Sequence, residues 1–381
     1  MPVHFWFFGL NIYVLALFEW NRSVYRKFTD KPLAAYPSVS VLIPCRNEAR
    51  NIENCVASLM AQDYPGEFEV VVFDDESDDG TDGILKNLAA RHKRLRVIRG
   101  GPLAAGWTGK NRGCHELSLA AKGEWILFID ADTVHEPPML RRAVATAVHE
   151  GADLVSTFPR QKLHSIGDEL LVPLMFFVLM TYLPMYFVSK RTWPRGSFHA
   201  ACGQYLLFSK ATYTAVGGHA GLKDKISEAG ILAAGVKKLG KKIALRDGSD
   251  WVSCAMYRGF RETWSGFSRS VFATMGGSAG TALFFIAFQT FLYLVPYVTL
   301  ILALRPGHGS AEGVLTALGA IAIPIWIRFR IHRKIGMPLK LIGLHAVSVV
   351  LYNVIIVNSF LQYRVRKSTS WKNRNYAKPQ S

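Results

Sequence analysis

No two cysteines in this chain stand at metal-ligand spacing. Cys45, Cys55, Cys114, Cys202 and Cys254 are scattered and odd in number. That argues against a zinc site or a disulfide framework and for reduced thiols lining a core or a site wall in a cytosolic compartment. Acidic residues are scarce too, 28 Asp and Glu against 45 Lys and Arg, for a formal net charge of +17. Nucleic acid is one partner for such a charge, but no nucleic-acid-binding module accompanies it. Much of the positive charge flanks apolar segments, where it suits attraction to an anionic lipid surface.

Long uncharged runs are what the chain has instead. Residues 5–18 are followed by Arg22, Arg26 and Lys27, and later runs cover 279–304, 313–327 and 341–363. Each is long enough, or nearly so, to cross a bilayer core of ~30 Å. The first run lacks the charged n-region and small-residue cleavage site of a signal peptide, so residues 1–27 read as an uncleaved anchor. The basic residues after it place the polar stretch beyond them in the cytoplasm, giving a multi-pass cell-membrane protein with a large cytosolic insert. Residues 170–189 are also uncharged, but a crossing there would put the insert's two halves on opposite sides. Pro173, Pro184 and Thr181 fit a broken amphipathic helix lying in the interface. The C-terminal charges conflict, because 328–340 and 364–374 are both basic with one run between them. Either 341–363 is a re-entrant hairpin around Asn353 or the basic tail, 364–381, lies outside against its charge; we expect the tail inside.

Within the insert, Val70–Phe73 and Trp125–Ile129 are short apolar runs of the kind that form parallel strands buried on both faces. Each opens directly into acidic residues, FDDESDDGT at 73–81 and FIDADT at 128–133. The carboxyl ends of such strands face the ligand crevice of an α/β fold. Asp130 and Asp132, two apart, can point to one side of an extended segment and offer hard oxygen ligands to Mg²⁺ or Mn²⁺. A cation there would neutralise a diphosphate and help it leave. Val39–Ile43 reads as an earlier strand, broken by Pro44, and strand and helix then alternate through Ile129, the pattern of a parallel α/β sheet.

Together with IPCRNEARNI at 43–52, GWTGKN at 106–111, GGH at 217–219 and YRGFRETWSGFSR at 257–269, these motifs make the chain resemble a family 2 glycosyltransferase of the GT-A fold, from about Ser38 to Ser270. Within the family it is similar to the membrane-tethered enzymes of carotenoid and hopanoid pathways. The resemblance implies a GT-A domain over 36–275, a transmembrane region over 276–363 and a UDP-sugar donor. It implies a nucleotide pocket from Pro44, Arg46, Glu48 and Asp75, whose carboxylates can accept hydrogen bonds from an imide N–H and ribose hydroxyls. Lys110, after Gly106 and Gly109, would meet nucleotide or phosphate. Asp130 and Asp132 would bind ribose and metal, with Asp132 the direct ligand, and Gln204 the donor sugar. Arg258 and Arg261 would stabilise the leaving diphosphate, or else anchor the membrane end of the domain. His199 and His219 would line the acceptor pocket.

Many family members carry Glu-Asp where this chain has Glu228-Ala229, which leaves Glu228 as candidate base, or as an ordinary helix-start acid after Ser227. The family's QxxRW motif of processive enzymes is absent, implying one sugar per encounter. The expectation is therefore inverting transfer of a hexose from a UDP-sugar to a membrane lipid, first a carotenoid or terpenoid acid. Polyprenyl phosphate or diacylglycerol is the alternative acceptor. From other classes, a membrane scaffold that keeps nucleotide binding without the base at 229 stays open, whereas few spans and a polar insert argue against a transporter.

Overall fold

The computed structural model describes residues 2–190, 197–306, 310–365, 368–371 and 374–377. In chain order the elements are α1 (Val3–Val24), β1 (Val39–Cys45), α2 (Ile52–Met60), β2 (Phe68–Asp74), α3 (Thr81–Arg91), β3 (Leu95–Arg99), α4 (Gly109–Ala120) and β4 (Trp125–Ile129). Next come β5 (Thr133–His135), α5 (Met139–Glu150), β6 (Leu154–Ser156), β7 (Arg160–Gln161), α6 (Ile166–Tyr182), α7 (Met185–Val188), β8 (Tyr205–Ser209) and α8 (Lys210–Ala215). They are followed by α9 (Glu228–Lys238), β9 (Ile243–Leu245), β10 (Val252–Cys254), α10 (Phe260–Thr274), α11 (Ala279–Tyr293), α12 (Val295–Ala303), α13 (Ala311–Ile335) and α14 (His345–Phe360). The chain divides into an α/β unit, Tyr25–Lys162 with Met185–Met256, and a helical unit, residues 1–24 with Leu163–Pro184 and Tyr257–Thr369.

The α/β unit holds a seven-stranded sheet of order β3-β2-β1-β4-β8-β6-β9. Only β8 runs antiparallel to its neighbours. Its interior follows from the apolar runs: Val39, Val41 and Ile43 with Val70 and Val72 pack against Ile52, Val56 and Leu59 of α2 and Leu140, Ala143 and Val144 of α5. Each such fully buried side chain stabilises the fold by about 1.5–3 kcal/mol. A second, three-stranded sheet of order β5-β10-β7 adjoins the end of β4.

Pro44 does not break the first strand. β1 pairs with β2 through Cys45↔Asp74 but with β4 only as far as Leu42↔Phe128. Alternate residues of β1 face alternate neighbours, and Cys45 offers its carbonyl to Asp75 N. Pro44 therefore turns its missing N–H toward β4 where that ladder has already ended, so the ring removes no hydrogen bond.

In the helical unit, Val3–Val24, Ala279–Ala303, Ala311–Ile335 and Ile342–Arg364 are long and apolar enough to cross a membrane. The second bends at Leu294, just before Pro296. Side-chain amides tie the bundle: Asn11 Nδ2 donates to Leu292 O at 3.1 Å, Asn21 Nδ2 to Met180 O at 2.9 Å, and Asn358 Nδ2 to Ser268 Oγ at 2.9 Å. Hydrogen bonds of this kind hold helices together where lipid removes the hydrophobic drive.

Three expectations are corrected here. Residues 170–189 are not an amphipathic interfacial helix: α6 is apolar nearly all round, and it packs against α1, α10, α13 and α14. A helix with no polar face is sheathed by others and not laid on a surface. Asn353 does not mark a re-entrant turn, since α14 is continuous through it and its Nδ2 donates to Thr290 Oγ1 of α11 at 3.3 Å. The α/β domain does not extend to 275, because α10 packs with α6 and α14 in the helical unit. Eight of the eighteen residues of the basic tail, 364–381, lie outside the described residues.

The approach to β4 is set by a buried serine. Ser40 Oγ donates to Glu69 Oε1 at 2.7 Å and accepts from the amides of Lys122 at 3.0 Å and Gly123 at 2.8 Å. A Cβ on Gly123 would lie 2.5 Å from Ser40 N and 2.7 Å from Val39 C, both backbone atoms that cannot step aside. Gly123→Ala should therefore cost about 2–4 kcal/mol, read as a drop of several degrees in the melting temperature of the detergent-solubilised chain. An unchanged melting temperature would show that β4 enters the sheet without this close approach.

Candidate active site

The carboxyl ends of β1, β2 and β4 lie side by side, so the loops that leave them meet. The loop after β1 is lashed to the loop after β2. Arg46, buried, donates from Nη1 to the carbonyl of Asp75 and to that of Glu76 at 2.8 Å. Asn47, with φ of 52°, exchanges side-chain bonds with Asp78 at 2.8 and 3.0 Å, and Glu48 N donates to Thr81 Oγ1 at 2.9 Å. Arg46 thus fixes the loop that presents Asp75, which is itself buried. Pro44, Glu48 and Asp75 all sit on these two joined strand ends.

Beyond β4, Asp130 meets a helix start and a distant loop. Lys110 Nζ lies 2.9 Å from Asp130 Oδ1 and 3.0 Å from Glu228 Oε1, bridging residues brought from α4, the β4 end and the first turn of α9. Burial alone would lower the Lys110 pKa, but the two carboxylates outweigh it and hold the pKa well above its ordinary value. Glu228 shows the converse: burial would raise its pKa, and the Lys110 charge brings it below the ordinary range. Ser227, at φ of 66°, makes no side-chain cap on α9, so Glu228 is held by Lys110 and not by helix-start chemistry. The pair also needs a residue without a side chain opposite it: a Cβ on Gly203 would stand 3.2 Å from Glu228 Oε1 and 3.3 Å from Lys110 Nζ.

Asp132 is the other way round. Burial, then the charges of Asp130 and Glu48, push its carboxyl up to about 7. Its Oδ1 is buried and has no hydrogen-bond partner. An oxygen left so is costly unless something else takes its lone pairs. Among the described residues no group of three His, Cys, Asp or Glu is arranged to hold a metal ion. Asp130 and Asp132 nevertheless fit Mg²⁺ or Mn²⁺ as a cation is bound in phosphate chemistry, by one or two carboxylates with substrate oxygens completing the set. The mouth is anionic as it stands, with Asp130 and Glu228 against Lys110 before Asp132 ionises, so an anion needs a counter-charge to enter.

Other expected site residues are placed differently. Gln204 lies in a buried amide–thiol group, donating to Cys254 Sγ at 3.0 Å and accepting from Gln161 Nε2 at 3.0 Å, while Cys254 reaches the Asp132 side chain. Its amide lies behind the Asp132 carboxylate, linked to it through Cys254. His219 does not present an open ring: it is 1 % exposed, its Nδ1 is 2.8 Å from Tyr213 Oη, and its ring packs edge-on to Phe128. Burial, with Lys110 nearby, brings its pKa down to about 4, so it is neutral at pH 7. The flanking glycines suggested a shaped loop, but Tyr213 and Phe128 decide the burial. His199 is half-buried in the α/β unit, whereas Arg258 and Arg261 are exposed at the start of α10 in the helical unit.

Sequence reasoning missed Gly203 and why GWTGKN matters as a whole, and it read Cys254 only as a core or site-wall thiol. Thr108 Oγ1 caps α4 by accepting from Asn111 N at 3.3 Å, and Thr108 N donates to Lys223 O at 2.7 Å. Asn111 Nδ2 donates to Leu222 O and to Lys225 O at 3.0 Å. The motif thereby clamps the segment that delivers Glu228 beside Lys110. A Thr three residues before an Asn is a cap signal that points to a helix start, but not to the distant loop it holds.

The sheet of this order, with Asp130 and Asp132 at the mouth of its fourth strand, is an α/β fold of the GT-A type. Residues 40–215 match Glycosyl transferase family 2, and the chain is a glycosyltransferase by that match and its relatives. It is 24 % identical over 351 residues, 90 % of this chain and 89 % of the relative, to 4,4'-diaponeurosporenoate glycosyltransferase of Staphylococcus aureus (strain bovine RF122 / ET3-1). It is 33 % identical to Glycosyltransferase AglE of Haloferax volcanii over 120 residues, 31 % of this chain and 38 % of that one. Among solved structures its fold is similar to mannosyltransferase PcManGT from Pyrobaculum calidifontis in complex with GDP-Man and Mn²⁺, with a TM-score of 0.59 at 17 % identity, covering 95 % of this chain and 99 % of that one.

Asp132 gives a stability test of the site. A carboxyl whose folded pKa is about 7 and whose unfolded pKa is ~3.9 stays protonated in the fold while the unfolded chain ionises. The metal-free protein therefore loses stability as pH rises from about 4 to about 7, by at most ~4 kcal/mol. Asp132→Asn removes that penalty. Without added metal its melting temperature should exceed that of the parent at pH 8 and converge with it near pH 4. A lower melting temperature at pH 8 would show that the ionised carboxylate is a structural partner.

Proposed function

We propose that the protein transfers a hexose, with inversion, from a UDP-sugar to a lipid held in the membrane, preferably a carotenoid or terpenoid acid. The observation that carries the acceptor class is the Lys110–Glu228 ion pair. A general base works best with a pKa near the working pH, and Glu228 is held below the ordinary carboxylate range. Such a group is poorly matched to pulling a proton from a lipid hydroxyl, but an acid acceptor is already ionised at pH 7 and needs only alignment. The full-length likeness to a diaponeurosporenoate glycosyltransferase and the candidate membrane spans support the same acceptor.

In this reading Glu48 and Asp75 bind the base and ribose, with Pro44 beside them and Arg46 holding their loop. Asp132 and Asp130 hold Mg²⁺ or Mn²⁺, which when bound offsets the diphosphate charge. Lys110 stays between Asp130 and Glu228 and offers its charge to the diphosphate from there. Gln204 and Cys254 keep the Asp132 carboxylate in place, while Glu228 and His199 orient the acceptor. Arg22, Arg26 and Lys27 after the first candidate span, and attraction of the basic flanks to an anionic lipid surface, support a cytoplasmic α/β unit.

The test is labelled UDP-glucose, UDP-N-acetylglucosamine or GDP-mannose with the purified full chain, a carotenoid acid, polyprenyl phosphate or diacylglycerol, and Mn²⁺ or EDTA, with products read by mass. A glycosyl ester formed on the acid, lost with EDTA and in Asp132→Ala, is expected. Transfer only to a hydroxyl or a phosphate would overturn the acceptor class, and donor binding without any transfer or hydrolysis would favour a scaffold. Glu228→Gln should slow transfer to an acid by less than about tenfold, whereas true base catalysis on a hydroxyl would fall by about 10² or more.

A further inference from the structure

The helical unit carries charge where a lipid-embedded bundle can least hold it. Arg328, at the end of the apolar part of α13, is 1 % exposed. Its Nη1 donates to Ser348 Oγ at 2.8 Å and its Nη2 to the backbone carbonyl of Glu169 at 3.3 Å, while Nε has no partner. Of the α6 carboxylates, Asp168 accepts from Thr263 Oγ1 at 2.6 Å and from His164 N at 3.1 Å, and Glu169 Oε1 pairs with Lys340 at 3.1 Å while its buried Oε2 has no hydrogen-bond partner.

Two histidines share this layer. His345, 2 % exposed and set against the rings of Phe177 and Tyr293 at 4.7 and 4.8 Å, has no hydrogen-bond partner on either ring nitrogen. His332, 1 % exposed, rests one nitrogen on the Pro338 carbonyl and leaves Nε2 without a partner. Buried polar groups are nearly always satisfied, and a buried guanidinium without a carboxylate is destabilising. Ionisable side chains kept within membrane segments generally serve a substrate or an ion.

We propose that Arg328, with His345 and His332, forms a binding site for the anionic head, carboxylate or phosphate, of a membrane lipid. A guanidinium presents donors in the planar fork that such an anion matches, and a neutral imidazole adds an N–H. Leu318 and Trp326 on α13 and Val347 and Val350 on α14 are exposed apolar side chains that give the lipid chain a hydrocarbon surface. The site deepens the acceptor reading above and rests on it only for the identification of the bound lipid as substrate.

Binding is tested without donor, on the full chain in phosphatidylcholine nanodiscs, by thermal unfolding with dodecanoate, dodecyl phosphate, dodecanol or inorganic phosphate. The two anionic amphiphiles should raise the melting temperature and the other two should not. Arg328→Met should abolish that shift while melting no lower than the parent in the absence of ligand, because it loses a buried unpaired charge. Should Arg328→Met fail to fold, Arg328→Lys keeps the charge without the fork and should bind at least about tenfold more weakly. An equal shift with dodecanol, an equal shift with inorganic phosphate, or a full shift in either variant overturns the site. Binding intact with no transfer to an acid removes the acceptor reading and leaves the site standing. Transfer intact with no shift removes the site alone.

Discussion

Everything at the site depends on β1 lying hydrogen-bonded between β2 and β4. The two ladders run in parallel but stop at different residues, at Cys45↔Asp74 on one side and at Leu42↔Phe128 on the other. Three carboxyl ends therefore open together, and the two acidic segments that are fifty residues apart in sequence face one crevice. The earlier end of the β4 ladder gives Pro44 a place where its missing N–H removes no bond. The Ser40 hydroxyl, pinned to Glu69 and to the amides of 122 and 123, sets the entry of β4 from the other end.

Charge then orders the crevice. Lys110 is the cation that lets Asp130 and Glu228 approach one another, and both carboxylates keep it protonated. Asp132 has no such partner, and its raised pKa and orphaned oxygen record the cost. One carboxylate is stabilised within the protein while the other is left to be satisfied by what binds. That division is a functional site's departure from the rule that buried polar groups are paired.

The helical unit repeats the pattern in an apolar setting. The amide nitrogens of Asn11, Asn21 and Asn358 donate across helices, whereas Arg328, His332 and His345 keep unpartnered nitrogens in one layer. Packing explains the first group and leaves the second to be explained by a ligand.

The strands at 39–45, 70–73 and 125–129, the acidic mouths and the membrane runs were legible because each is a local signal: a short apolar run fixes burial, and a carboxylate at its end fixes what the crevice holds. α6 was misread because hydropathy shows that a helix is apolar but not what covers it, and here four helices do. His219 was misread because two glycines describe the backbone and not the Tyr213 and Phe128 side chains around the ring. By itself the sequence determined the α/β class, the acidic strand ends that share one crevice and the helices long and apolar enough to cross a membrane. Only tertiary structure decided that Lys110 holds Glu228, that Gly203 lies against that pair and that Arg328 donates to Ser348, because those partners come from separate elements and meet only in space, which no local pattern encodes.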